Sequence, residues 1–303
     1  MIQQELLQKL VDPVSRTALA LDEDQQQLKN QDRTYAIRDR IPLLLPQQAE
    51  DLELTSAKHD DLQSTFKYVE HYQRDAQHFD YFQSPTDGAT LHENRRLHET
   101  IISEIPDHAN SILDVGCGSA WVAQHFCPRG KSVCSFDISL ENTSKALAAH
   151  PYPTHNAVVG DVYHLPFKTE SFDAIISAEV IEHVADPATY LEKLIRVLKK
   201  DGVLVISTPY KEYIPHYLCI HCNKPTPQHA HLHSFDENRI LSLVPKHENF
   251  YKIAYACSNK YLAKLRTHIL LKYLPFRMWR MVDKMANAIV QKQQRLILKI
   301  VKK

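Results

Sequence analysis

The sequence predicts an α/β fold in which helices cover both faces of a mostly parallel sheet. Apolar runs alternate with helical segments between about residues 105 and 215. Three of these runs end in an acid, at Asp114, Asp137 and Asp161, and the first run turns sharply into a helical segment through Gly116 and Gly118. The carboxyl ends of parallel strands meet at one edge of a sheet, so we expect the three carboxylates to form a nucleoside site there.

The glycine turn is the most informative local feature. Residues 112–115 read as a buried strand and residues 121–126 as the start of a helix. Glycine lets the backbone approach a ligand closely, and a helix start offers unpaired N–H groups. A glycine pair by itself also fits an ordinary tight turn. The nucleoside interpretation therefore depends on the acids that follow, with Asp137 about 20 residues on, where a carboxylate can bind ribose hydroxyls.

Two further strands complete the pattern. Residues 171–177 read as a fourth strand, residues 191–198 as a helix, and residues 201–209 as a turn and a fifth strand. This order of motifs resembles the class I S-adenosylmethionine-dependent methyltransferases over about residues 105–215. The resemblance implies a Rossmann-like sheet and S-adenosylmethionine as cofactor. A nicotinamide dinucleotide is disfavoured because only Ala120 stands near the third-glycine position and no second nucleotide-binding half follows.

The resemblance also implies which residues contact the cofactor. They are Asp114, Gly116, Cys117, Gly118, Asp137, Ile138, Asp161, Val162 and Glu179. The glycine turn with Asp114 would hold the methionine end, Asp137 the ribose, and Asp161 the adenine.

Catalytic candidates follow the fourth strand. If residues 179–183 are helical, then Glu179, Glu182 and His183 share one face. The run resembles the Glu-x-x-Glu-His element of ubiquinone-pathway O-methyltransferases, in which these residues bind a divalent cation and assist the acceptor. We expect His183 to act as a general base beside the two carboxylates. Acids that merely stabilise a helix N-terminus are the alternative.

The predicted reaction is O-methylation of a small-molecule or lipid-linked acceptor. One alternative is an RNA or protein methyltransferase with an activator-like domain fused to it. The other is a non-catalytic protein that binds S-adenosylmethionine as a scaffold. The sequence does not identify the acceptor.

A Cys/His insert is predicted at residues 216–235, after the fifth strand. It resembles an insert of some methyltransferases, and its expected zinc ligands are Cys219, Cys222, His231 and His233, with His229 as an alternative fourth ligand. Ordinary thiols beside surface histidines, or a redox pair, remain alternatives. Ser234 and Glu237 have capping-box spacing, which predicts that a helix begins there.

Composition separates the chain into an acidic body and a basic tail. The net charge is zero over 303 residues, but residues 260–303 contain twelve Lys or Arg and one acid, so residues 1–259 carry the compensating negative charge. No signal peptide or spanning helix is evident, and six scattered cysteines fit a reducing cytoplasm.

The tail predicts a basic amphipathic helical segment over residues 260–303. Its cations and bulky residues, among them Phe276 and Trp279, favour contact with the inner face of a membrane. The second interpretation of the tail is a helical lid packed on the core. The third is contact with RNA, but the acidic body disfavours binding to nucleic acid. Residues 251–257 predict one strand of a closing hairpin without a partner, so the sheet is expected to have six strands.

Two segments precede the predicted methyltransferase domain of residues 106–259. Residues 1–50 predict a separate small α+β domain, and the run at residues 35–42 resembles zinc-ribbon activators of methyltransferases. Asp12 and Ser15 replace their Cys-x-x-Cys pair, so we expect a metal-free docking module held by hydrophobic packing. Residues 51–105 predict a helical cap or linker, in which Tyr72 is the candidate ligand contact.

Overall fold

The fold is that of a computed structural model, which describes residues 2–46, 67–220, 223–246 and 250–303. The helices in these ranges are α1 (Gln4–Lys9), α2 (Tyr68–His78), α3 (Gly88–Glu104), α4 (Trp121–Phe126), α5 (Leu140–Ala149), α6 (Pro187–Val197), α7 (Glu237–Leu243), α8 (Lys260–Lys264), α9 (His268–Leu271) and α10 (Phe276–Ile289). The strands are β1 (Ala20–Asp22), β2 (Gln27–Lys29), β3 (Thr34–Arg38), β4 (Ile41–Leu44), β5 (Ser111–Val115), β6 (Ser132–Asp137), β7 (His155–Gly160), β8 (Phe172–Ala178), β9 (Leu198–Pro209), β10 (His216–Leu218), β11 (Pro225–Pro227), β12 (Phe250–Asn259) and β13 (Gln293–Lys302).

One large sheet organises these elements, in the order β1-β2-β3-β4-β7-β6-β5-β8-β9-β13-β12. The five strands from β7 to β9 pair in parallel. Alternate residues of β9 enter different hydrophobic clusters, Leu204 with helix α6 on one face and Val205 with helices α3 and α4 on the other. Both faces are therefore covered by helices, which confirms the predicted Rossmann-like α/β fold.

The prediction of a six-stranded sheet was wrong. Residues 293–302, which the sequence analysis placed in a helical tail, form β13. This strand lies antiparallel between β9 and β12, with Arg295 opposite Pro209 and Asn259 opposite Gln293. The helical prediction for the tail holds only for segments within residues 260–289.

Neighbouring strands explain why β13 is not a helix. Its residues Leu296, Ile297 and Leu298 are fully buried on both faces of the sheet, where apolar residues suit a central strand. Its cations meet acids from distant parts of the chain. Arg295 pairs with Glu179, Lys299 with Glu104 at 3.1 Å, and Lys302 with Glu170 at 3.0 Å. Part of the tail's charge is thus paired with the acidic body.

The start of α7 also differs from the predicted capping box. Its N-cap is Asp236, whose carboxylate accepts the backbone N–H of Arg239 at 2.8 Å. Ser234 lies outside the helix, and its carbonyl accepts a hydrogen bond from the Arg239 guanidinium instead. Aspartate caps a helix as well as serine does, so the helix can begin at Asp236 without the predicted capping box.

The N-terminal residues 2–46 are not a separate unit. Strand β4 pairs in parallel with β7, with Leu43 opposite Val159 and Leu44 opposite Gly160, and so continues the sheet of the main domain. Leu6, Leu10 and other apolar side chains of this segment belong to the same hydrophobic cluster as the main domain's own residues. This segment therefore joins the main domain through apolar packing and through a shared sheet.

A buried aspartate organises this N-terminal module where zinc-ribbon proteins carry cysteines. The Asp12 carboxylate is fully buried and accepts hydrogen bonds from the Val14 and Ser15 amides, the Asn30 amide group, the Tyr35 hydroxyl and the Arg33 guanidinium. Burial alone would raise the pKa of Asp12, but the hydrogen bonds outweigh it and lower the pKa. A hydrogen-bonded carboxylate thus ties together the loops of the module.

We expect Asp12→Ala to lower the free energy of unfolding by about 3 kcal/mol, because it removes a fully buried carboxylate that accepts hydrogen bonds from the Val14 and Ser15 amides and from the Asn30 side chain. Urea unfolding at neutral pH measures the change. The wild-type contribution is present above the unfolded pKa of 3.8 and is lost as the pH falls below it. Asp22→Ala, at a surface ion pair with Lys29, is the control and should leave the midpoint unchanged. Equal midpoints for the two variants would contradict the role of Asp12.

Candidate active site

The glycine turn lies at the carboxyl edge of β5, between that strand and α4. Gly116 has a φ of +68°, and an added Cβ would lie 2.5 Å from Cγ2 of Val180, so this glycine is required by close packing. Gly118 has a φ of +46°, but its Cβ would meet no atom nearer than 4.0 Å. The open space beside Gly118 is where a ligand can approach the backbone.

Two buried carboxylates face this turn. Asp114 is almost fully buried, and its Oδ2 atom has no hydrogen-bond partner among the described residues. Burial, and then the neighbouring Asp137, raise the pKa of Asp114 well above its usual range. Burial raises the pKa of Asp137 to about 6, although the Ser139 amide donates to its carboxylate at 2.9 Å. Two desolvated acids with an unused oxygen are a site that a cationic or hydroxyl-bearing ligand would complete.

The third predicted acid has partners of its own. Asp161 is fully buried at the end of β7, and its Oδ2 accepts a hydrogen bond from the Tyr68 hydroxyl at 2.9 Å and lies 2.7 Å from Nδ1 of His164. Tyr68 begins α2, so the segment predicted as a cap does reach the acids of the sheet edge. The ligand contact predicted from the sequence was Tyr72 of the same helix, and not Tyr68.

The run of residues 179–183 is not an α-helix. Glu179 has a φ of +57°, and only Ile181–His183 form a single 3-10 turn. The Glu179 carboxylate accepts a hydrogen bond from Ser207 at 2.8 Å and an ion pair from Arg295. The expectation that Glu179, Glu182 and His183 share a helical face is therefore wrong, because the left-handed backbone at Glu179 sends its side chain towards β9 and β13.

Glu182 and His183 meet a residue from the insert instead. One ligand atom each from Glu182, His183 and His231 lies within 4.8 Å of the others. Glu182 is buried, and its Oε1 atom has no partner among the described residues, while Oε2 accepts the Thr208 hydroxyl at 3.1 Å. Burial raises the pKa of Glu182 well above its usual range, and the charge of Glu179 adds to this.

In both histidines, Nδ1 has an oxygen partner. Nδ1 of His231 lies 2.6 Å from a Glu212 oxygen, and Nδ1 of His183 lies 3.3 Å from the Ala230 carbonyl oxygen. Oxygens of these kinds only accept, so in the neutral rings Nδ1 carries the proton and Nε2 keeps a lone pair. Burial, and then His231, lower the pKa of His183 to about 4, so its ring is neutral at pH 7. The cluster therefore combines the neutral His183 imidazole, the His231 ring and one carboxyl group.

Comparison with known families agrees with this geometry. Residues 113–206, from β5 to β9, match a family model described as a methyltransferase domain. The chain carries a class I S-adenosylmethionine-dependent methyltransferase domain. The match spans the glycine turn, all three acids and the Glu182–His183 pair of this methyltransferase domain.

Curated relatives align over the same region. A malonyl-[acyl-carrier protein] O-methyltransferase of Erwinia billingiae is 34% identical over 97 residues, which are 32% of this chain and 38% of the relative. A ubiquinone biosynthesis O-methyltransferase of Rickettsia bellii is 34% identical over 119 residues, which are 36% of this chain and 48% of the relative. The chain thus spans less than half the length of these relatives.

A solved structure shares part of the shape. An S-adenosylmethionine-dependent methyltransferase of Mesorhizobium loti has a TM-score of 0.49 and 15% identity, and the superposition covers 70% of this chain and 100% of that one.

The predicted zinc ligands do not come together with His231 among the described residues. The group that His231 joins contains Glu182 and His183, and neither Cys219 nor His233 belongs to it. His233 places Nε2 3.0 Å from the Val184 carbonyl oxygen, and Cys219 directly follows β10, where its amide donates to the Lys224 carbonyl at 3.0 Å. Cys222 lies outside the described residues, so the Cys/His zinc site of this insert stays a prediction.

Two further candidates, Tyr72 and Cys117, lie close to residues of the candidate site. Tyr72 of α2 donates a hydrogen bond to the His183 carbonyl at 3.5 Å, and the two rings are 5.8 Å apart, so Tyr72 packs against His183. Cys117 is buried in the turn with Sγ 3.9 Å from Asp137. Sequence reasoning missed Glu212 and Arg295, because each acts on a residue far away in the chain.

Proposed function

We propose that the protein transfers a methyl group from S-adenosylmethionine to an oxygen of a small-molecule or lipid-linked acceptor. The observation that carries the proposal is the position of the Glu182–His183–His231 cluster after β8, next to the strand ends that hold Asp114 and Asp137. The names of the two curated relatives, both O-methyltransferases, support oxygen as the accepting atom.

The polar groups at this edge of the sheet fit the proposed cofactor. The unpartnered Oδ2 of Asp114 suits the positively charged methionine end, and Asp137 suits the ribose hydroxyls. Asp161 and Val162 would lie beside the adenine, the backbone of Cys117 and Gly118 along the methionine, and Ile138 beside the ribose. Bound S-adenosylmethionine supplies a methyl group on a sulfonium, which is already a good leaving group. Positioning can contribute up to about 7–11 kcal/mol to such a transfer.

The protein's own chemistry then concerns the acceptor proton. In the proposal, Nε2 of His183 accepts the proton of an acceptor hydroxyl, since its Nδ1 is committed to the Ala230 carbonyl. His231 is held by Glu212 in the same tautomer and can orient the acceptor from the other side. Glu179, which is tied to Arg295, would act as a positioning residue for this edge rather than as a base.

A divalent cation fits the same cluster. Two imidazole nitrogens and one carboxylate are a common ligand set for zinc and for other transition metals. Metal-bound histidines usually have a carboxylate or carbonyl at the other ring nitrogen, and Glu212 is such a partner for His231. The unused Oε1 of Glu182 supplies the negative charge. Glu182, His183 and His231 would hold the ion, which would lower the pKa of an acceptor hydroxyl bound to it.

Cofactor affinity should depend on pH through Asp137. Its carboxylate must be ionised to accept two ribose hydroxyls, and its pKa in the free protein is about 6. We therefore expect the Kd for S-adenosylmethionine to be constant above pH 7 and to rise by up to about tenfold for each pH unit below 6. Calorimetric titrations between pH 5 and pH 8 measure this, and a Kd that stays flat to pH 5 would contradict it.

A labelled-cofactor experiment tests the function itself. The purified protein is incubated with S-adenosylmethionine labelled in the methyl group and with small-molecule, lipid, RNA and protein fractions of the host. We expect label in the small-molecule or lipid fraction. Label in RNA or protein would favour the fused-activator alternative. Cofactor binding without transfer to any fraction would favour the scaffold alternative.

A further inference from the structure

An exposed apolar and basic surface lies beside the candidate active site. It is the helical hairpin, residues 260–292, which contains α8, α9 and α10 and connects β12 to β13. Asn259 and Gln293, which flank it, pair with each other, and Arg295 lies opposite Pro209 at the carboxyl end of β9. The helical hairpin therefore rises from the same sheet edge as Asp114 and Asp137.

The inner face of the helical hairpin is anchored to the domain. Arg96 of α3 is fully buried and donates to the Leu271 carbonyl at 2.6 Å and to the Leu274 carbonyl at 2.8 Å. Asp283 of α10 accepts the Ser258 amide at 3.0 Å and the Asn259 amide at 2.7 Å. This packing is the lid-like contact that the sequence analysis held as its second reading. It also buries Trp279, which was expected to lie in a membrane interface.

The outer face has no such packing among the described residues. Its large apolar side chains keep more than half of their surface exposed, from 53% for Met278 to 81% for Ile289. They are Leu265, Ile269, Leu270, Tyr273, Met278, Met281, Met285 and Ile289. Met278, Met281 and Met285 follow one another at helical spacing along α10, opposite buried Trp279 and Asp283. An exposed apolar set of this size marks an interaction surface.

Charge decides what kind of partner this surface suits. The helical hairpin contains eight Lys or Arg and one acid, Asp283, which is buried against β12. Seven of the cations are exposed, namely Lys260, Lys264, Arg266, Lys272, Arg277, Lys284 and Lys292. Adaptable methionines between unopposed cations match an anionic lipid surface, which accepts apolar groups and attracts each cation. A second copy of this face would instead bring like charges together.

We propose that the helical hairpin docks the protein onto an anionic membrane surface, with the sheet edge that carries the candidate active site turned towards the lipid. The outer apolar side chains enter the interface, and the exposed cations lie at the headgroups. None of the described helices is long and apolar enough to cross a bilayer, so the contact is peripheral. The docking itself does not depend on the proposed function. Only the suggestion that the membrane supplies a lipid-linked acceptor rests on it.

Vesicle co-sedimentation tests the proposal with the full chain. Wild-type protein should bind vesicles of phosphatidylglycerol and phosphatidylcholine, and the binding should weaken with salt and with vesicles of phosphatidylcholine alone. Met281→Glu/Met285→Glu and Arg277→Glu/Lys284→Glu should each bind at least about tenfold more weakly. Lys168→Glu/Lys200→Glu changes the net charge as much as the second variant does, but at exposed residues near the amino ends of β8 and β9, and should bind as wild type does.

The other outcomes have defined meanings. Equal loss in Lys168→Glu/Lys200→Glu would overturn the proposal, because charge alone would then explain binding. A wild-type dimer in light scattering that Met281→Glu/Met285→Glu converts to a monomer would overturn it in favour of a second copy. Calorimetry with S-adenosylmethionine shows that each variant is folded. Cofactor binding and turnover without vesicle binding would refute the docking alone, whereas vesicle binding without cofactor affinity would refute the proposed function alone.

Discussion

Asp137→Asn is expected to weaken S-adenosylmethionine binding at least about hundredfold, because two hydrogen bonds to a charged carboxylate contribute about 1.5–3 kcal/mol each. The same change should raise the melting temperature of the cofactor-free protein at pH 7.5. Burial raises the pKa of Asp137, so the stability that this group contributes is present at acidic pH and is lost as the pH rises through about 6. An uncharged amide removes that loss. Calorimetry and thermal unfolding measure the two effects.

Asp173→Asn is the matched control for this prediction. Asp173 begins β8 at the opposite sheet edge, where it accepts the Asn110 and Ser111 amides and pairs with Lys199 at 2.8 Å. Burial would raise its pKa, but Lys199 and the amides outweigh that and lower the pKa, so this substitution should reduce stability and leave cofactor affinity unchanged. Normal cofactor binding by Asp137→Asn would contradict the proposal that the carboxyl edge of the sheet binds S-adenosylmethionine.

His183→Ala is expected to lower turnover by about 10²–10⁴-fold while the Kd for S-adenosylmethionine stays at its wild-type value. The side chain lies in the cluster with Glu182 and His231 and not among the residues proposed to bind the cofactor. Turnover is measured with the acceptor found by the labelling experiment. His183→Gln, which can still donate to the Ala230 carbonyl, should be equally slow, because an amide neither accepts a proton at neutral pH nor replaces an imidazole ligand.

Chelation then distinguishes the two roles proposed for the cluster. If a chelator removes wild-type turnover and an added divalent ion restores it, then Glu182, His183 and His231 act as ligands. If chelation has no effect, His183 accepts the proton directly. If His183→Ala kept wild-type turnover, both roles would be excluded, and His183 would have only a structural role.

The glycine turn and the acids at the carboxyl edge of the sheet could be predicted from sequence because their signals are local. A buried strand, a glycine turn and a following acid lie within a few residues, and the backbone conformation at Gly116 and Gly118 requires glycine or strain. The parallel order of strands then brings Asp114 and Asp137 together without further information. The fold class followed from the same alternation of strands and helices.

The contacts of Glu182, His183 and His231 could not be predicted in this way. His231 meets Glu182 only because the insert folds back, with the Leu232 amide donating to the Glu182 carbonyl at 2.7 Å. The sequence placed His231 with nearby cysteines, since short spacing was the only available signal. The helical expectation for Glu179 failed because its left-handed backbone cannot be read from a residue that is not glycine.

The tail was misread for a physical reason as well. Cations at Arg295, Lys299 and Lys302 between apolar residues fit a helix with a charged face, and their acidic partners lie far away in the chain. Within the tail, the helical hairpin, residues 260–292, carries the exposed large apolar side chains and seven exposed cations.

The placement of β13 between β9 and β12 has a consequence for how the protein is made. A nascent chain completes β9 and β12 before residues 293–302 exist, so the apolar edge of β9 stays open until those residues have been made. Joining strands that are so distant in sequence is intrinsically slow. The ion pair between Arg295 and Glu179 can form only after residues 293–302 have been made, so a nascent chain that lacks them keeps an aggregation-prone strand edge that chaperones would have to protect.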